Sequence, residues 1–253
     1  MDKGIDLSYH NGVVDFAKVK RSGISFVILR IGYRGWGDGS LQKDTRFEEY
    51  YAKAKANGLK VGGYFFSQAI NYNEGKAECE FCLKILGTRT LDYPLYIDTE
   101  HSGASNNKGR ADLISNADRT SAIKGFCEHG ENSGWYVGIY ASPAWFASRL
   151  NYKELMRYDK WIAKWSIFPP PTTYGDFGLW QNSNNGSING ISGRVDLNNG
   201  YKRYPYIMEQ NGLNNYGVPV KYNITAKYLT SEQADKVQEL CKTLDVVYDV
   251  TKV

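Results

Sequence analysis

Long apolar runs are missing from this chain of 253 residues, and so is any dense block of like charge. Without about 20 consecutive apolar residues there is no membrane-spanning helix to place. The net charge is only +4 and forms no basic stripe, which excludes the electrostatic footprint of a nucleic-acid binder while favouring approach to an anionic polymer. Cysteine is scarce, with four in all. Cys79 and Cys82 form a C-x-x-C, but with Leu86 they share one stripe of a helical segment and read as small core hydrophobes. Cys127 and Cys241 stand alone, and no second Cys or His pair at zinc spacing completes a ligand set. No metal and no cofactor is therefore expected, and the thiols are expected to be reduced, as in a protein made in a cytoplasm. The first residues carry no apolar leader and enter a strand directly, so no signal peptide is visible, and work outside the cytoplasm would need release by another route or a leader already removed.

Aromatic side chains are what the chain has in excess: 20 Tyr and 6 Trp, with aromatics at 14% of residues. Flat amphipathic rings suit the faces of sugars, although packing and ordinary surface tyrosine account for most of them. Strand-like segments at 4–8, 25–33, 60–66, 94–100, 136–140, 160–165, 178–181 and 194–198 alternate with helix-like ones at 15–22, 45–57, 72–86 and 110–132. Thr45-x-x-Glu48 has the form of a capping box, and Asn57-Gly58 that of a helix stop. The alternation predicts an α/β fold with a largely parallel sheet closed into an irregular, flattened (β/α) barrel of about eight strands, TIM-barrel-like, occupying residues 1–208. Residues 209–217 read as a linker. Residues 218–253 follow as a small β-α-β module, its helix capped by Thr230-x-x-Gln233. A unit this small rarely stands alone, so it is expected either to pack on the barrel or to pair with a copy from a second chain, as a cell-wall-binding element or as a dimerisation element that would give a homodimer through 218–253.

The chemistry concentrates in Asp98 and Glu100, at the end of the apolar run Pro94-Leu95-Tyr96-Ile97. Residues two apart on a strand face the same way, about 6.5–7 Å from one another. Mutual repulsion and partial burial are expected to raise one pKa and leave the other group ionised, the combination that glycosidic cleavage needs. Asp6 and Asp196 also fall near the C-terminal ends of strands, where barrels of this kind place their chemistry. Convergence of four acids from distant segments is harder to ascribe to chance than any one of them.

The pattern resembles the family 25 glycoside hydrolase lysozymes, which include many phage endolysins. The resemblance rests on the segments 4–12 (GIDLSYHNG), 26–32 (FVILRIG), 63–66 (GYFF), 96–100 (YIDTE), 139–141 (IYA), 161–165 (WIAKW) and 179–198, in that order. It implies cleavage of the β-1,4 bond between N-acetylmuramic acid and N-acetylglucosamine in bacterial peptidoglycan. It also implies Glu100 as general acid, and Asp98 as either nucleophile or partner of an attacking N-acetyl group. Asp6 and Asp196 would complete the acidic floor. Arg30 would either offset its charge or form a structural ion pair. Tyr33, Tyr64, Phe66, Tyr140, Trp165, Trp180 and Gln181 would line the sugar cleft, each ring with core packing as the competing role. His10 is not needed by this scheme. Asn11 stands where the family often has Gln, and Asn182 where Tyr is common. Two other readings are a non-catalytic sugar-binding barrel, which gives no reason to collect mutually repelling acids, and a chitinase-like glycosidase. The latter usually carries a further Asp two residues before the pair, where this chain has Tyr96.

Overall fold

The computed structural model describes residues 1–217 and 229–243. Nine strands belong to one sheet: β1 (Asp2–Leu7), β2 (Phe26–Arg34), β3 (Leu41–Lys43), β4 (Lys60–Phe66), β5 (Leu95–Asp98), β6 (Val137–Ala141), β7 (Asp159–Ala163), β8 (Leu179–Gly186) and β9 (Val195–Gly200). Strand β1 pairs parallel with β2 on one side and antiparallel with β9 on the other, which closes β1-β2-β4-β5-β6-β7-β8-β9 into an eight-stranded barrel. All neighbours from β1 to β8 around that ring run parallel, and β9 alone is reversed. Strand β3 lies outside the ring as an antiparallel edge on β2. The expected eight-stranded α/β barrel is thus present, with one short additional strand.

Side-chain alternation sorts each strand into two environments. Outward positions such as Ile5, Leu7, Val27, Leu29, Val61, Leu95, Ile97, Val137 and Ile139 are buried in a layer with Val19 of α1 (Phe16–Arg21), Phe47 and Tyr50 of α2 (Phe47–Ala56), Cys79, Cys82 and Leu86 of α3 (Tyr72–Leu86), and Ile123, Phe126 and Cys127 of α4 (Asn116–Asn132). The three thiols are therefore core atoms. Inward positions Phe26, Ile28, Tyr96, Tyr140, Trp161 and Leu179 fill the barrel together with Tyr93. Such bulk fits because facing positions lack side chains. A Cβ on Gly138 would lie 2.4 Å from the Tyr96 ring, and one on Gly178 would lie 1.6 Å from the Tyr204 hydroxyl.

Several local expectations need correction. Thr45 does not cap α2: Arg46 occupies the cap position with no side-chain cap bond, and Asp44 Oδ1 accepts Arg46 N–H at 2.9 Å just before the helix. Helix α4 starts at Asn116 rather than 110, capped by Ser115 Oγ, which accepts Asp118 N–H at 3.0 Å. The preceding residues are used otherwise, Arg110 pairing with Glu74 and Asp112 tying a loop. Two helices had not been expected: α5 (Pro143–Arg149), with Ser142 as cap and proline in its first turn, and α6 (Tyr204–Asn211). Tyr204 and Met208 of α6 plug the barrel end opposite the acids, where the Tyr204 hydroxyl donates to Asp159 Oδ2 at 2.8 Å.

The stretch 209–217, read as a linker, is anchored to the barrel. Asn214 is fully buried, donates to the carbonyls of Leu91 and Tyr93 at 3.1 Å each, and accepts Tyr136 N–H at 2.8 Å. Residues 220–253 form a separate unit. Its described part is α7 (Ser231–Thr243), preceded by the expected cap: Gln233 N–H donates to Thr230 Oγ1 and Thr230 N–H to Gln233 Oε1. The strands expected around 220–228 and 246–250 lie outside the described residues. No helix among the described residues is long and apolar enough to cross a membrane.

Candidate active site

Four acids meet at the C-terminal mouth of the barrel. Asp6 of β1 lies directly across from Asp196 of β9 in the antiparallel register. Asp98 closes β5, shorter than the expected strand, with Phe66 of β4 and Tyr140 of β6 as its neighbours. Glu100 follows two residues on, outside the strand, and remains exposed. Asp98 is only 4% exposed and Asp6 only 6%, so charge on either is removed from water.

That burial governs the electrostatics. Asp98 is held well above the ordinary carboxylate range by desolvation, then by Glu100 and Asp6, with Arg30 pulling the other way. Glu100 is pushed up to about 7 first by desolvation in the crowded mouth and then by Asp196, against an opposing effect of His101. Asp6 is raised by burial and by Asp196, and Asp196 is raised by burial. A hydrogen bond between these last two raises Asp6 and lowers Asp196, the behaviour of two carboxyls sharing one proton. The sequence suggested that one member of the 98/100 pair would rise and the other stay ordinary. Both rise, because Asp98 is deeply buried and the cation that would offset it is engaged elsewhere. Arg30 Nε donates to the buried Asp44 at 2.8 Å.

A web of neutral donors orders the floor. Asp6 Oδ2 accepts from Gln181 Nε2 at 3.0 Å and from Asn198 Nδ2 at 2.8 Å. Gln181 Oε1 in turn accepts the Tyr140 hydroxyl at 2.9 Å and the Trp165 indole N–H at 3.0 Å, and Asn198 Oδ1 accepts Trp161 Nε1–H at 2.7 Å. Trp165 is nevertheless 60% exposed, a flat ring fixed by one edge beside the acids. Tyr64 lies in the fields of Arg30, Asp6 and Asp98, and Tyr140 in those of all four acids.

A bulge in β2 between Arg30 and Gly32 re-aims the strand so that Tyr33 aligns with Phe66 and the Arg30 guanidinium lies 5.2 Å from the Tyr33 ring centroid. Two buried polar atoms in this region have no protein partner: Asp98 Oδ1, an open acceptor, and Arg30 Nη2, an open donor. No group of three or more His, Cys, Asp or Glu among the described residues is arranged to hold a metal ion.

Of the residues singled out in the sequence, Asp6, Asp98, Glu100, Asp196, Arg30, Tyr64, Tyr140, Trp165 and Gln181 are brought together, with Tyr33 and Phe66 at the adjoining strand ends. Trp180 is not. It alternates with Gln181 to the outer side of β8, beside Ile162, and donates to Lys164 O at 2.8 Å. His10 sits on the turn after β1 against the Tyr9 ring, where burial and Arg30 lower its pKa. Sequence reading missed Asn198 and Asp44. Asn198 shares the strand parity of Asp196 and could have been found by it. Asp44 follows a three-residue strand with no periodic signal.

The model of the glycosyl hydrolases family 25 matches residues 5–191. Among curated relatives, an autolytic lysozyme of Clostridium acetobutylicum is 30% identical over 195 residues, covering 77% of this chain and 54% of that protein. Lysozyme M1 of Streptomyces globisporus is 27% identical over 206 residues, covering 78% and 66%. This chain therefore spans about half to two thirds of the length of the curated relatives it matches. The bacterial lysozyme structure from Streptomyces coelicolor aligns with a TM-score of 0.69 at 23% identity, over 85% of this chain and 98% of that one, a likeness of fold.

Proposed function

This chain belongs to the glycosyl hydrolases family 25, and from that premise we propose that it is a lysozyme hydrolysing the β-1,4 bond between N-acetylmuramic acid and N-acetylglucosamine in bacterial peptidoglycan. The observation that carries the reading is the four-acid floor, with Glu100 pushed up to about 7 at its solvent-open edge. Below that pH Glu100 holds a proton and donates it to the leaving sugar oxygen. The working state of the 98/100 pair carries one proton, and the pair titrates as a unit. Arg30 acts on Asp98, whereas Asp196 repels charge on Glu100, so the single negative charge belongs on Asp98.

The open Asp98 Oδ1 then faces the sugar either as nucleophile or as acceptor of an acetamido N–H whose carbonyl attacks. Both routes retain configuration. Asp6, pinned by Gln181 and Asn198 and sharing a proton with Asp196, keeps the floor acidic without adding full repulsion. Tyr64, Tyr140 and the exposed face of Trp165 supply ring surfaces for the glycan. A chitinase-like reading gains nothing from Tyr96, which is buried in the barrel. Clearing of purified cell walls by the wild type beside Glu100→Gln tests the assignment: the variant should lose about 10²-fold or more of the rate, as removal of a general acid does. Equal clearing by the two would end it.

A further inference from the structure

We propose that His101 is the positioning residue for Glu100, the outer anchor of a short backbone span whose inner anchor is the barrel. The inference rests on Glu100 being the acid of the proposed lysozyme. Among the described residues none donates a hydrogen bond to the Glu100 carboxyl, so the aim of the acid is set by the backbone on either side of it.

On the inner side the chain is held by Ser67 N–H donating to Asp98 O at 2.9 Å and Thr99 N–H donating to Tyr140 O at 3.1 Å. Thr99 Oγ1 also accepts the Trp145 indole N–H at 3.2 Å. On the outer side the first fixed residue is His101. Gly103 N–H donates to its Nδ1 at 3.0 Å, and its Nε2 lies 2.8 Å from Asn107 Oδ1. An amide oxygen only accepts, so Nε2 carries a proton toward Asn107, and the ring spans the loop as a two-point clamp.

The far end of that clamp is unusual backbone. Asn106 and Asn107 both adopt left-handed conformations, φ 57° and 52°, a region that non-glycine residues seldom enter and that asparagine tolerates best. Two such residues in succession hold conformational strain, and the bond to His101 fastens the turn they make. Asp112 locks the base of the loop, accepting Ser102 N–H, the Ser102 hydroxyl and Gly109 N–H at 2.8, 2.6 and 2.8 Å, and its Oδ2 lies 3.5 Å from His101 Nε2. The three bonds to Ser102 and Gly109 do not pass through the imidazole. On the outer side His101 is the residue peptide-bonded to the acid, so rotation there swings the carboxyl directly.

Steady-state kinetics on soluble peptidoglycan glycan fragments, with melting temperature measured in parallel, tests the role. His101→Ala should lower kcat by about 10–100-fold and leave KM within about twofold, because misplacing a catalytic group by about 1 Å carries that penalty. Asn107→Gly keeps a backbone that accepts the left-handed turn but removes Oδ1, and should lower kcat in the same direction with no loss of melting temperature. His101→Gln, whose side-chain amide can donate to Asn107, should recover most of the rate. A rise in KM at unchanged kcat would overturn the inference by placing His101 on substrate. Wild-type kcat in Asn107→Gly, or no recovery in His101→Gln, would also overturn it. Glu100→Gln run alongside separates the two levels. If it is inactive while the His101 and Asn107 variants match wild type, only the positioning role fails; if it keeps wild-type activity, the lysozyme reading fails too.

Discussion

Glu100→Gln should make the protein more stable, and only at high pH. The fold holds this carboxyl at about 7 against an ordinary 4.5. At 1.36 kcal/mol per pKa unit the gap is worth at most about 3.4 kcal/mol. The side chain is open to solvent, and screening brings the effect to about 1–2 kcal/mol. A carboxyl with a raised folded pKa is fully accommodated below its unfolded value and becomes a burden as pH rises through its folded value. Glutamine does not titrate. Wild type and variant should therefore melt together near pH 4, and at about pH 8.5 the variant should melt higher by a few degrees, at about 2–4 °C per kcal/mol for a chain of this size. Scanning calorimetry at the two pH values measures it. An offset that is the same at both, or a wild type that melts higher at the alkaline end, would refute the electrostatic picture of the site.

Other consequences are open to direct measurement. Activity should fall as pH rises through about 7, where Glu100 gives up its proton, so a kcat/KM profile flat to pH 9 would contradict its role as acid. Asp44→Ala strands the Arg30 guanidinium in a buried setting and should cost about 3–5 kcal/mol in urea unfolding. A loss below about 1 kcal/mol would show that the pair is not what accommodates that charge. Gly138→Ala sets a methyl 2.4 Å from the Tyr96 ring and 3.1 Å from the Asp159 carbonyl, and should destabilise by about 1–3 kcal/mol, whereas an unchanged urea midpoint would mean that the barrel interior has slack.

Much of this molecule was legible in its sequence because barrel strands announce themselves twice, by apolar outward residues and by acids at their C-terminal ends. Asp6 and Asp98 followed from that rule; Asp196 is the second residue of β9 and reaches the same mouth because that strand runs in reverse. What stayed hidden was long-range. Nothing in the sequence near residue 44 says that a carboxylate will cross to Arg30 while also holding Arg46 N–H ahead of α2. The plug formed by Tyr204 and Met208 depends on a cavity at the barrel's far end, and the anchoring of Asn214 depends on carbonyls more than 100 residues away. Trp180 was misjudged because its neighbour Gln181 takes the inward position and parity sends the indole outward. The level of Asp98 was misjudged for a related reason: the sequence shows an arginine nearby but not that its Nε is already spent on Asp44.

Mass spectrometry of the fragments released from purified peptidoglycan tests the central claim most directly. A buried acid pair with Glu100 donating to the leaving oxygen of glucosamine predicts new reducing ends that are N-acetylmuramic acid, absent from a Glu100→Gln digest. New reducing ends that are N-acetylglucosamine, or no new ends at all with active wild-type folding confirmed, would contradict it.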